Sequence, residues 1–298
     1  MPYISTVNVN GVRAAAGKGL LAWLAATEAD IVCVQETRAT DEQVRAALAP
    51  ALDAGWQLWH AEPESKGRAG VGILSRKAPK AVRIGFGSTE FAAAGRYLEA
   101  DFDDLTVASV YVHSGDAGTV RQDEKYRFMA ELGAYLTART GHFVVAGDWN
   151  IAHTERDLKN WKGNLKSAGF LPQERAWIDE LLAAGYVDVV RGLHPGVDGP
   201  YSWWSYRGRA FDNDSGWRID AVYARGGIAS RAVSARVERA ATYAERWSDH
   251  APVTVKFAEK VPELLTSEYP LRGHGHGRGL RASSALRISS RAASPVTD

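Results

Sequence analysis

Residues 142–150 read HFVVAGDWN. Phe143, Val144, Val145 and Ala146 form a brief apolar run, as expected of a strand covered on both faces. Gly147 is expected to free the backbone to turn, and Asp148, Trp149 and Asn150 follow where the strand ends. In extended backbone, residues two apart point the same way. Asp148 and Asn150 would then share one face and Trp149 would take the other. A carboxylate beside an amide at the mouth of a buried strand can hold a hard cation or orient a water. The same residues also suit a plain turn after a core strand.

Working outward, β-branched and apolar runs predict strands over 3–9, 30–35, 56–61, 70–75, 81–86, 96–102, 106–112, 187–190, 217–224, 232–238 and 252–257. Helical spacing predicts helices over 18–28, 41–48, 120–139 and 174–184. Asp41 and Glu42 stand in the first turn of the second of these, where the helix dipole favours acids. Many strands with a few interleaved helices point to two packed sheets with helices outside, a layered α/β arrangement. No repeat and no internal linker is visible, so one domain is expected over 1–260. The stretch 261–298 is rich in Gly, Ser and Arg without an apolar period, and is expected to be a disordered tail. His274 and His276, and five arginines between Arg272 and Arg291, fall within it.

The 298 residues are 45% apolar and 24% charged, which is ordinary globular composition. A net charge of +1 provides no global field to recruit a polyanion, so nucleic-acid binding would need a local basic patch. The 10 tryptophans can serve a core or stack on bases and sugars. Cys33 is the single cysteine, so no intrachain disulfide forms, which fits a reducing cytosol. The opening MPYISTVNVN lacks a basic region followed by an apolar one, and no run reaches the ~18 apolar residues of a membrane span. A soluble, cytoplasmic protein is expected.

Polar residues recur at the predicted strand ends. Asn8 follows the first strand, Glu36 the second, and Asp148 and Asn150 the strand quoted above. Asp249 and His250 precede the last, and Asp220 lies within RIDAVY. These types suit hydrolysis of a phosphate ester on a magnesium ion. Mg2+ takes hard oxygen ligands, a carboxylate orients the attacking water, and a histidine fixed by a second carboxylate donates to the phosphate. An Asp-His pair before a strand also suits a turn with a surface histidine.

In order along the chain, NVNGVRA (8–14), DIVCVQET (30–37), YVHSG (111–115), GDWNIAHTERDL (147–158), NLKSAGFLPQERAW (164–177), SWWSYR (202–207), GWRID (216–220) and SDHAPV (248–253) resemble motifs of the exonuclease III and apurinic/apyrimidinic endonuclease family, of the DNase-I-like fold. The resemblance implies a four-layered α/β sandwich in which two packed mixed β-sheets are flanked by helices. It implies Mg2+, with Mn2+ as a substitute, held by Glu36 with Asn8, Asp148, Asn150, Asp249 and His250 nearby. Asp148 would orient or deprotonate the water and Asn150 would help hold it or the phosphate. His250, held by Asp220, would bind the scissile phosphate, and Tyr111 would donate to a phosphate or leaving oxygen.

The resemblance further implies 3′→5′ exonuclease and abasic-site incision leaving a 3′-hydroxyl, in base excision repair. The partners would be double-stranded DNA, its abasic sites and its 3′ ends, met by a monomer associated with the nucleoid. Trp217 and Ile219, with Tyr201 beside them, would line the pocket for an abasic sugar, where unstacking costs least. Trp203 and Trp204 suit the core equally well. Arg207, with Lys159, Lys162, Lys166 and Arg209, would contact DNA backbone from polar loops. Ser114 stands where the family has Asn or Gln. It brings only a short hydroxyl, a departure that touches grip on the phosphate more than reaction type. A phosphoesterase of the same fold acting on a lipid or inositol phosphate, and a DNA-binding relative without catalysis, are the alternatives. GWRID and AGFLPQERAW argue against the first, and the full acid set argues against the second.

Overall fold

The computed structural model describes residues 2–259. The predicted tail lies outside the described residues. Among the described residues, twelve strands form two six-stranded sheets. The first runs β11 (Ala232–Val237), β12 (Val253–Phe257), β1 (Tyr3–Asn8), β2 (Ile31–Gln35), β4 (Val71–Ser75), β3 (Gln57–Ala61). The second runs β5 (Ala81–Ile84), β6 (Tyr97–Phe102), β7 (Leu105–Tyr111), β8 (His142–Asp148), β10 (Asp220–Arg225), β9 (Tyr186–Asp188). The pairs β1–β2 and β7–β8 are parallel and the others antiparallel, so both sheets are mixed.

Side-chain alternation sorts the core into layers. Ile4, Cys33, Val107, Val144, Ala146, Val222 and Val255 meet between the sheets. On the outer face of the first sheet, Val7, Val32 and Val34 pack on α1 (Val12–Ala15), α2 (Leu21–Ala26) and α3 (Asp41–Asp53). On the outer face of the second, Val145 and Tyr223 pack on α4 (Val120–Ala138) and α5 (Pro172–Ala183) through Phe128, Leu132 and Ile178. Helices, sheet, sheet and helices make the four layers. Among the described residues no helix is long and apolar enough to cross a membrane.

Local departures have local causes. The helix expected over 18–28 is broken by a wider turn at Ala16–Leu20, between α1 and α2. A Cβ on Gly19 in that turn would lie 2.9 Å from the Trp247 ring. The strand expected over 187–190 stops at Asp188, whose carboxylate caps α6 (Val189–Leu193) by accepting from Arg191 N–H at 3.0 Å. The strand expected from residue 217 begins at Asp220, and Trp217 makes isolated bridges to Leu158 and Trp203 instead.

Alternation also delivers the polar residues. Ile4–Thr6–Asn8, Leu105–Val107–Ser109–Tyr111, Val144–Ala146–Asp148 and Ala224–Val222–Asp220 share the parity of the residues packed between the sheets. Strand register sets Tyr111 opposite Asp148, and Asp148 opposite Asp220. Three adjacent strands thus place a tyrosine and two carboxylates in one row at one end of the sandwich.

Candidate active site

Gly147 does not make the turn expected of it. It lies within β8, paired with Val110 and Ala221. A Cβ there would sit 1.9 Å from the Val110 carbonyl oxygen, so the close approach of β7 excludes any side chain. The turn falls at Asn150, whose φ is +50°. Its N–H donates to Asp148 Oδ1 at 2.9 Å and its Nδ2 to the Val112 carbonyl at 2.8 Å. Trp149 points away into the α4–α5 side, edge-on to Tyr223 at 4.7 Å, with Nε1 on the Ala221 carbonyl.

Asp148 is buried at the centre of the site. Asn8 Nδ2 donates to Asp148 Oδ2 at 2.9 Å and to Glu36 Oε1 at 2.8 Å, while Asn8 Oδ1 accepts from Asn10 N–H at 2.9 Å. Asn8 therefore presents nitrogen to the two acids and orients both. Glu36 takes a left-handed φ of +52° just past β2. It also accepts from the Tyr111 hydroxyl at 2.7 Å and from the Arg38 guanidinium. Asp249 accepts from Asn10 Nδ2 at 2.8 Å and from Trp203 Nε1 at 3.0 Å. Asn10 thus links Asn8 to Asp249.

His250 Nδ1 lies 2.8 Å from Asp220 Oδ2, and its Nε2 lies 3.8 Å from Asp148 Oδ2. Ser202 Oγ donates to the same Asp220 oxygen at 2.6 Å. Burial lowers the basicity of His250, but the flanking Asp220 and Asp148 outweigh it and raise the imidazole to about 10. This shift favours the imidazolium, in which both N–H groups are donors. Burial, with Asp220 and Glu36 adding, pushes Asp148 up to about 7 against the lowering effects of His250 and Asn8. A carboxylate held near neutrality can accept a proton from water. Burial and the nearby acids Glu36 and Asp148 raise Tyr111, which keeps its proton as a donor. Arg96 lies 4.7 Å from the Tyr111 ring centre.

The acidic cluster can bind a metal. Among the described residues the tightest group of ligand-type atoms is Asp148, Asp220 and His250, within 4.8 Å of one another. Asp220 Oδ2 is taken up by His250 and Ser202, which suits this group to proton handling, while the buried Asp220 Oδ1 has no hydrogen-bond partner among the described residues. Glu36 and Asp148 instead converge on one amide nitrogen from two directions, facing an open cleft of about 990 Å3. Both line the cleft and offer hard oxygen donors, the type a divalent cation takes.

The cleft brings together Glu36, Tyr111, Asp148, Asn150, Asp249 and His250. Trp217, Ile219 and Ser114 also line it. Tyr201 does not: it is buried with Trp204, Phe211 and Ala251 in a satellite core. Trp203 takes that place on the wall, edge-on to Trp217 at 6.2 Å. Arg207 and the nearby Lys159, Lys162, Lys166 and Arg209 are exposed and lie off the cleft, whose arginines are Arg38, Arg68, Arg96 and Arg121. Of the residues not singled out from sequence, Arg38 could have been found by its place two residues after Glu36. Ser202, two residues before the buried Trp204, carried no such signal.

A convergent row of carboxylates, an acid-held histidine and a cation-competent pair define a metal-dependent phosphoester hydrolase on an α/β sandwich. The Endonuclease/Exonuclease/phosphatase family model matches residues 5–250, and the chain belongs to that family. It is 36% identical over 250 residues to an exodeoxyribonuclease of Bacillus subtilis, covering 83% of this chain and 95% of that one. It is 33% identical over 257 residues to the DNA repair nuclease APEX1 of Danio rerio, covering 86% and 82%. Among solved structures, a 3′ phosphatase, NExo from Neisseria, bound to product DNA hairpin, superposes with a TM-score of 0.80 at 29% identity, covering 87% of this chain and 100% of that one. An AP endonuclease from Archaeoglobus fulgidus gives 0.78 at 28%, covering 86% and 99%.

Proposed function

We propose that this protein is a Mg2+-dependent DNA phosphodiesterase of base excision repair, acting as a 3′→5′ exonuclease and as an abasic-site endonuclease. What supports this assignment is the row Tyr111–Asp148–Asp220, with His250 on the second acid and Glu36 joined to the first through Asn8. The exodeoxyribonuclease and repair-nuclease names of the relatives supply the substrate class.

Bound between Glu36 and Asp148, Mg2+ (or Mn2+) would offset phosphate charge and stabilise the leaving oxygen. Asp148 orients a water and accepts its proton as the water oxygen attacks phosphorus. Asn150 holds the turn that sets this geometry. His250 donates an N–H to a phosphate oxygen, and Asp220 keeps the ring charged and aimed. Tyr111 donates its hydroxyl to a phosphate or leaving oxygen. The bond from phosphorus to O3′ breaks, O3′ takes up a proton from solvent while Asp148 returns its proton to solvent, and the products are a 3′-hydroxyl and a 5′-phosphate. All of these groups come from one chain, consistent with a monomer, which would meet its DNA at the nucleoid in the cytoplasm. Residues 1–260 would form the catalytic domain.

End-labelled duplexes test this, one intact and one with a synthetic abasic site, each with Mg2+ and with EDTA. Incision 5′ to the abasic site and trimming from 3′ ends are expected, both abolished by EDTA. Hydrolysis of small phosphate esters with no action on either duplex would overturn the assignment.

A further inference from the structure

We infer that Lys125 and Glu174 are a positioning pair that holds three loops of the cleft in register, an inference that rests on the phosphodiesterase function proposed above. Lys125 on α4 and Glu174 on α5 are both completely buried, with Nζ 2.6 Å from Oε1. Their remaining bonds set them apart from an ordinary ion pair. Lys125 Nζ also donates to the Asn150 carbonyl at 2.9 Å and to the Ser114 carbonyl at 3.4 Å. Glu174 Oε2 accepts from the N–H groups of Gly169 at 2.7 Å and Leu171 at 2.9 Å, and Oε1 accepts from Gln122 at 3.0 Å.

Ser114, Asn150 and Gly169 belong to three separate segments, and all three line the cleft. One buried pair therefore ties together the loop after Tyr111, the turn after Asp148 and the segment behind Trp217. The packing leaves little slack. A Cβ on Gly115 would lie 2.4 Å from Gln122 Oε1 and 3.0 Å from Lys125 Cδ. A Cβ on Gly169 would lie 3.0 Å from the Asn150 carbonyl and 3.2 Å from the Trp217 ring. Loosening the pair moves Asn150 beside Asp148, and the aromatic wall with it.

Net stability does not account for such a pair. Desolvation of two buried charges offsets much of their attraction, and apolar isosteres are often as stable. Burial pulls the Lys125 ammonium below its usual value, against the support of Glu174. The carbonyls that the pair holds are those of the active-site loops, and geometry is what the arrangement secures. Neither side chain reaches substrate, so the role is positioning.

The test uses the full chain with Mg2+ on an abasic duplex, comparing wild type with the double variant Lys125→Met/Glu174→Leu, which leaves no unpaired buried charge. Thermal melting and titration of active molecules accompany the kinetics. The double variant is expected to fold with kcat lowered at least about ten-fold, since an ångström of misplacement can cost ~100-fold. Its KM is expected to change by a smaller factor than kcat, because the turn beside Asp148 moves most directly and the cleft wall only with it. A folded double variant with wild-type kcat would overturn the inference, as would a loss of rate equal to the loss of folded protein. Should the double variant not fold, Gln122→Ala decides, since it loosens Glu174 without stranding a charge. A fall in kcat of about three-fold at unchanged KM and melting temperature is then expected, and unchanged kcat overturns the pair. A wild type inert on every DNA substrate overturns the phosphodiesterase assignment instead.

Discussion

Arg218 and Asp220 stand two residues apart at the entry to β10, yet they belong to buried charge clusters built on opposite rules. Arg218 joins Asp157 at 2.7 Å and Asp188 at 2.8 Å, and Arg191 reaches Asp157 from the other side. Two cations meet two anions, and none of the four lines the cleft. Asp220 joins His250 and Asp148, with Glu36 attached through Asn8. Two of those three carboxylates face the His250 ring and the third, Glu36, pairs with Arg38. The balanced cluster closes on itself and fixes a loop. The unbalanced one keeps a negative surplus facing the cleft, which favours a cation and perturbs the acid and base groups that chemistry needs.

The hardest test of this contrast is Asp148→Asn. It removes a carboxylate from the surplus cluster without changing its shape. Turnover on an abasic duplex is expected to fall by ~10²–10⁴-fold, the range for a lost general base. Duplex affinity, read by a gel-shift or anisotropy titration, should survive. Near-normal cleavage would remove Asp148 from the role of base.

Arg218→Met is the matching change in the balanced cluster. Removing one partner of a buried ion pair costs about 3–5 kcal/mol, because the other charges stay buried. Chemical denaturation should show a loss of that size, while turnover per folded molecule stays near wild type. A variant that is stable but inactive would merge the two clusters into one functional unit.

A smaller effect is expected with acid. Burial alone would raise Asp157, but Arg218 and Arg191 outweigh it and hold the carboxyl well below the usual carboxylate range. A group depressed on folding contributes its stability in full above its unfolded value, about 3.9 for Asp. That contribution is lost as pH falls below this value toward the folded one. Urea midpoints should therefore drop below about pH 4 more steeply for wild type than for Asp157→Asn, which starts lower and does not titrate. Parallel curves would detach Asp157 from the acid response.

How much of this was legible in the sequence follows from which forces act locally. The apolar runs of β1, β2, β8 and β12 and the two-residue alternation that aims Asn8, Asp148 and Asp220 inward are local, and were readable. Partners drawn from distant segments were not. The helix cap at Asp188 is local, since its carboxylate accepts from Arg191 N–H three residues on, but its ion pair with Arg218, 30 positions on, had no signal near Val187. Gly147 looked like a turn residue because its crowding comes from β7. Tyr201 and Trp203 share an apolar character. Only the bridges from Trp203 to Trp217 and His250 decide which of them faces the cleft. Arg207 and the basic residues grouped with it were legible as exposed loop charges, but not as standing outside the cleft lining.

The aromatic wall is where the subtlest effect is expected. Trp217 lines the cleft beside Ile219, and its backbone pairs with Trp203 and Leu158. It stands directly before Arg218, so it connects the balanced cluster to the surplus one. If its ring serves the abasic sugar, Trp217→Ala should lower abasic-site incision by roughly ten-fold, about what burying one apolar contact contributes. Removal of a terminal 3′-phosphate, which leaves less of the nucleotide to enclose, should fall less. The two activities measured side by side on matched duplexes give the ratio, and a change in that ratio belongs to the wall alone. Equal losses on both substrates, with a lowered melting temperature, would make Trp217 a packing residue and move the wall to the structural side of the comparison.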